Sequence, residues 1–144
     1  MSLESNRKEV EEKRAKTLKK ITLPDVICNK DESLNKLFID SLELGKKFYS
    51  EILMNMSMAN RKSVGDLMQI STAELVRLSQ TLILKQQFST KKEKLLQSYL
   101  IEFERFRSYL RYCIECGITQ PNQASNAIVY IVKIQEYLYP MIKD

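Results

Sequence analysis

Histidine is absent from this chain of 144 residues, and glycine and proline come to three each. Each shortage excludes something. Without histidine there is no imidazole, the commonest general base and the commonest metal ligand. The glycines, at 45, 65 and 117, are too scattered for a phosphate-binding loop or a dinucleotide fingerprint. No apolar run approaches the roughly 18 residues of a membrane-spanning helix. The Met-Ser-Leu start leads into charge, not into an apolar h-region, which reads against a secretory signal. The cysteines, Cys28, Cys113 and Cys116, are odd in number. With no signal, that count points to a reducing, cytoplasmic setting.

What remains is rich in Leu, Ile, Lys, Glu, Gln, Arg and Ala, residues that lose little rotamer freedom in a helix. An apolar fraction of 44% is enough to fill a core. Net charge is +5 and unevenly placed: residues 1–30 carry eight Lys/Arg against five Asp/Glu. A basic surface attracts polyanions, but a total of this size does not by itself define a nucleic-acid partner.

The pattern predicts an all-α chain, an antiparallel up-down-up-down four-helix bundle with an N-terminal charged helical or disordered extension. Residues 1–32 are the extension and linker, and residues 33–144 the bundle. From Glu4 to Lys20 only Val10, Ala15 and Leu18 are apolar, so a helix there has almost no face to bury. Pro24 biases Leu23 away from helix. The first bundle helix begins near Ser33, capped by Asp31 or Ser33. Leu34, Leu37, Phe38, Ser41, Leu42, Gly45, Phe48, Tyr49, Ile52 and Met56 form its inner stripe. Gly45 on that stripe suggests a close helix contact. After a break around Asn55 to Asn60, the second helix runs to about Gln87. Its stripe is Val64, Leu67, Met68, Ser71, Leu75, Leu78, Leu82 and Ile83, with Gly65, Ala73 and Ser79 as small residues that admit a neighbour.

Thr90 and Glu93 have capping-box spacing at the start of the third helix, which ends at Gly117. Its inner side holds Leu95, Leu96, Tyr99, Leu100, Phe103, Phe106, Leu110, Cys113 and Ile114. The fourth helix begins at Thr119 with Pro121 in its first turn, and Pro140 is expected to end or kink it. Short connections make consecutive helices antiparallel.

Few residues carry chemistry. Cys113 and Cys116 form a C-x-x-C inside a predicted helix. Zinc needs two more ligands, and a redox pair needs a strand before the motif, so packing explains them better. Glu9, Glu11, Glu12, Glu102 and Glu104 alternate with cations and do not converge as a hydrolase's acids do. Met54, Met56 and Met58 read as packing at the end of the first helix. No catalytic residue, metal site or cofactor is expected.

One feature stands apart. On a wheel of about 100° per residue, Arg107 falls inside the apolar arc of the third helix and Arg111 just outside it. An arginine there must snorkel, pair with a carboxylate or meet a ligand. Lys91, Lys94 and Arg105 cluster elsewhere on the helix, and Arg61 and Lys62 start the second. These seven are the candidate nucleic-acid or interface residues.

The run Phe103-Glu104-Arg105-Phe106-Arg107-Ser108-Tyr109-Leu110-Arg111 resembles an apolar-acid-x-Leu-Arg-x-x-Leu-Arg pattern. Asn122-Gln123-Ala124 through Ile128 and Ile134 to Met141-Ile142-Lys143 resembles the last helix of the same group. Over residues 34–144 the chain is similar to the four-helix proteins grouped with the accessory variability determinant (Avd) of diversity-generating retroelements, alongside the ribosomal-RNA intervening-sequence proteins. The resemblance implies a non-enzymatic homo-oligomer, a ring-like homopentamer, that binds RNA or DNA, a reverse transcriptase, or both. Arg107 and Arg111 stand at the family's arginine positions. The chain departs from the pattern in being less basic and in carrying Cys-Ile-Glu-Cys-Gly at a helix end. The alternative is a helical protein–protein scaffold in which Arg107 and Arg111 close a subunit interface.

Overall fold

The computed structural model divides the chain after Lys30 and describes residues 32–142. The expectations for the charged extension, the linker and the Asp31 cap lie outside the described residues. Four helices account for most of the rest. α1 (Glu32–Lys47) continues through a π-helical turn, Phe48–Ile52, and a 3₁₀ turn, Leu53–Asn55. A single turn, Met58–Asn60, and a second π-helical turn, Arg61–Gly65, lead into α2 (Asp66–Lys85). α3 spans Ser89–Glu115 and α4 Pro121–Ile142.

α1 packs against α2 and α4, α2 against α3, and α3 against α4. Side-chain pairs fix the directions. Asp40 pairs with Tyr137 and Glu51 with Asn126, so α1 and α4 run antiparallel. Ser71 reaches Glu102 while Met68 meets Cys113, so α2 and α3 do too. The result is the expected all-α, four-helix, up-down-up-down arrangement, and no strand occurs among the described residues.

Apolar spacing accounts for most of the core. Leu34, Leu37, Leu44, Phe48, Met68, Leu75, Leu82, Tyr99, Phe103, Phe106, Ile134 and Leu138 are fully enclosed. Phe48 meets Phe106 edge-on at 5.7 Å, and Tyr99 stacks near Phe103 at 6.2 Å. Where the spacing misleads, local geometry explains it. A π-helical turn carries more residues per turn than an α-helix, so the α1 stripe rotates at Phe48–Ile52. Tyr49, expected inside, is 51% exposed, and Leu53 takes the interior. Leu67 sits about 100° from Met68, at the rim of the α2 stripe, and is exposed. Ala73 is exposed as well, so it admits no neighbour. Of the three methionines only Met56 packs; Met54 and Met58 are exposed.

The helix ends are equally specific. Phe88, not Thr90, precedes α3, and no side chain caps it, because Thr90 already lies in the first turn. α3 closes as a Schellman motif. The Ile118 N–H donates to Cys113 O at 2.8 Å and the Gly117 N–H to Ile114 O at 3.2 Å, with Gly117 at φ 74°. Pro121 lies in the first turn of α4 as expected, but it is the first helical residue, so the helix starts there and not at Thr119; Gln123 Oε1 reaches back to accept from the Gln120 N–H at 3.0 Å. Pro140 does not end α4, which continues to Ile142.

Candidate interaction surface on the third and fourth helices

The seven candidate residues do not form one patch. Met68 Sδ lies 3.7 Å from Cys113 Sγ, so the start of α2 stands level with the end of α3. Arg61 and Lys62 are therefore at the opposite end of the bundle from Lys91 and Lys94, along a helix of about 40 Å at 1.5 Å per residue. Arg61 has a local task. Its Nε donates to Leu53 O at 3.1 Å, which also accepts from the Met56 N–H, and its Nη2 to Met54 O at 2.7 Å, bracing the carbonyls where the first helix stops. Lys91 Nζ sits 5.3 Å from the Phe88 ring centre. Among the described residues, Lys62 and Lys94 have no carboxylate partner.

The three arginines of α3 are all paired within their own helix. Arg105 bonds Glu102 at 2.5 Å, its own side chain half exposed while the Glu102 carboxylate is buried. Arg111 Nε bonds Glu115 Oε1 at 2.8 Å, and this bond raises the arginine pKa. Arg107 turns toward α4. Its Nη1 donates to both Glu104 oxygens, at 2.9 and 3.0 Å, and to Tyr139 Oη at 3.1 Å. Tyr139 in turn donates to Glu104 Oε1 at 2.6 Å. Gln135 completes the group when its carbonyl faces the guanidinium, 3.2 Å from Nη2. The Arg107 guanidinium carbon lies 5.9 Å from the Phe103 ring centre. The arginine inside the apolar arc thus both snorkels over an aromatic ring and pairs with a carboxylate. Desolvation, and then donation to Glu104, pushes the Tyr139 phenol up.

Beside this cluster a groove of about 340 Å³ opens between α3 and α4. Leu110, Ile114, Ile128, Ile131 and Val132 line it, and Arg107, Arg111, Glu115 and Gln135 border it. The wheel explains why both arginines belong here while Arg105 does not. Arg107 and Arg111 lie on the side of α3 that turns to α4, and Arg105 points about 160° away from Phe103 at 100° per residue.

Of the residues that surround Arg107 and Arg111, Glu104 and Glu115 were legible from spacing, since i, i+3 and i, i+4 acid–arginine pairs face each other on any helix. Tyr139, Gln135 and Val132 were not, because only the pairing of α3 with α4 brings them to the arginines. Among the described residues no group of three or more His, Cys, Asp and Glu gathers to hold a metal. Cys113 is buried, which pushes its thiol pKa up, while Cys116 is exposed and both are free. No helix among the described residues is long and apolar enough to cross a membrane. Comparison with family models, curated proteins and solved structures finds no match to this chain.

Proposed function

We propose that this chain is a non-enzymatic helical interaction module that docks a protein partner through the α3–α4 face. The groove carries this reading. It has an aliphatic floor open to solvent and a border of Arg107, Arg111, Glu115 and Gln135. An apolar centre with a polar rim rich in arginine is the anatomy of a protein–protein interface. The engagement of Arg107 with both Glu104 oxygens and with Tyr139 favours this over direct phosphate binding there, because a guanidinium held by several bonds must give them up to take another partner. The test replaces Arg107 and Arg111 together by Ala. Loss of self-association or partner binding with unchanged helicity supports the reading; unchanged association removes the face from consideration.

A second reading follows the Avd resemblance: an oligomeric accessory of a mobile element that binds nucleic acid, a reverse transcriptase, or both. The net charge of +5 supports it, as do Lys62 and Lys94, which lack carboxylate partners among the described residues. Its mechanism is counterion release, giving affinity that falls steeply with salt and depends weakly on sequence. Titration of RNA and DNA at low and moderate salt decides it, and absence of binding at low salt excludes it.

A further inference from the structure

A ridge stands beside the α3–α4 groove. Ile128, Val129 and Val132 project from adjoining turns of α4, 40, 49 and 46% exposed. Single exposed aliphatic residues are ordinary, but a cluster bordering a groove marks a contact surface. Beside Arg107, whose charge Glu104 holds within α3, the same face carries two opposite charges one helical turn apart. Arg111 and Glu115 pair with each other, with side chains 80 and 63% exposed. An exposed pair of this kind is worth little, so exchanging partners costs little.

The register makes the face self-complementary. Arg107 and Glu104 stand opposite Tyr139, and the helices run antiparallel, so Cys113 is level with about residue 131 of α4. Cys113 is the midpoint between Arg111 and Glu115, and Ile128, Val129 and Val132 surround Ile131.

We propose, building on the docking reading above, that a second copy of this chain covers the α3–α4 face across a twofold axis lying over both helices at the height of Cys113 and Ile131. Arg111 then faces the partner's Glu115, and Glu115 faces the partner's Arg111. Ile128, Val129 and Val132 pack against their own counterparts. A twofold interface requires one surface to complement itself. A face holding both signs symmetrically about an apolar centre meets that requirement, whereas a face of single charge repels its copy.

The test is the solution mass of the chain from about 1 to 100 µM, since association follows mass action. The wild type is expected to reach twice the monomer mass. V132E and R111E should each weaken the dimer at least tenfold. R111E sets two carboxylates together across the axis, and so does its mirror, E115R, with two guanidiniums. The double variant R111E/E115R should restore the wild-type constant, because the swapped charges meet again. R111E alters an exposed side chain, so it remains informative if V132E unfolds. A monomer throughout, a mass of five copies, or a dimer indifferent to all these changes overturns the twofold. An apolar fluorescent dye separates the two levels of the argument. A monomer that binds the dye, with binding lost in V132E, leaves a docking groove without a second copy. A monomer that does not bind it removes both.

Discussion

Ser41 Oγ and Tyr99 Oη lie 2.6 Å apart in the closed interior of the bundle, joining α1 to α3. Ser41 Oγ also donates to Leu37 O at 2.6 Å, so Tyr99 is the donor in the pair. The two ends of this bond are therefore unequal. Tyr99→Phe removes the donor and leaves Ser41 satisfied by Leu37, at a cost of about 1 kcal/mol. Ser41→Ala strands a buried phenol and should cost about 1–3 kcal/mol. Urea unfolding of both variants and the double checks the order; equal costs, or a double variant worse than the sum, refute it.

The same phenol makes stability depend on high pH. Burial raises the Tyr99 pKa well above its ordinary value, and Tyr137 is raised by desolvation and by donation to Asp40. Both groups keep their protons longer folded than unfolded. Their contribution is complete below the unfolded tyrosine pKa of about 10 and is lost as pH rises beyond it. Denaturation midpoints should hold from neutral pH to about 9 and fall above 10, with a shallower fall in Tyr99→Phe. A flat profile to pH 11 contradicts this.

Two helical glycines should respond in opposite directions. A Cβ on Gly45 would meet Thr72 Cβ at 3.8 Å, an ordinary contact. Gly45→Ala therefore gains helix propensity and should stabilise by about 0.5–1 kcal/mol. A Cβ on Gly65 would stand 2.8 Å from Leu53 Cδ1, 3.2 Å from Asn60 O and 3.3 Å from Met56 Sδ. Leu53 and Met56 are buried, and a backbone oxygen cannot yield. Gly65→Ala should cost about 1–3 kcal/mol through overpacking. Thermal unfolding of the two variants is sufficient, and a common sign for both rejects the distinction.

Arg61 offers a test of structure against surface charge. If its role is to close the end of the first helix, Arg61→Ala should destabilise by about 1 kcal/mol, and Arg61→Lys should recover only part, because an ammonium lacks the planar fork that reaches both carbonyls. Lys62→Ala, an exposed neighbour, should stay within about 0.5 kcal/mol of wild type. Equal effects of Arg61→Ala and Lys62→Ala in chemical denaturation are the adverse result.

Side-chain spacing was enough for the number of helices, their order, the break after the first helix, the stop at Gly117 and the place of Pro121 in the first turn of the fourth. Those features depend on local physics: a 3.6-residue repeat, one residue at positive φ, one ring that needs no N–H. The same spacing put Arg107 on the apolar side of α3 and separated it from Arg105. What it could not supply was the consequence of one helix meeting another. The π-helical turn that exposes Tyr49 is not written in apolar periodicity. Nor are the carbonyls that occupy Arg61, the Tyr139 hydroxyl that reaches Arg107 from 32 positions along the chain, or the groove between α3 and α4. A helix wheel states which residues share a face, and only packing decides which face is covered and which is left for a partner.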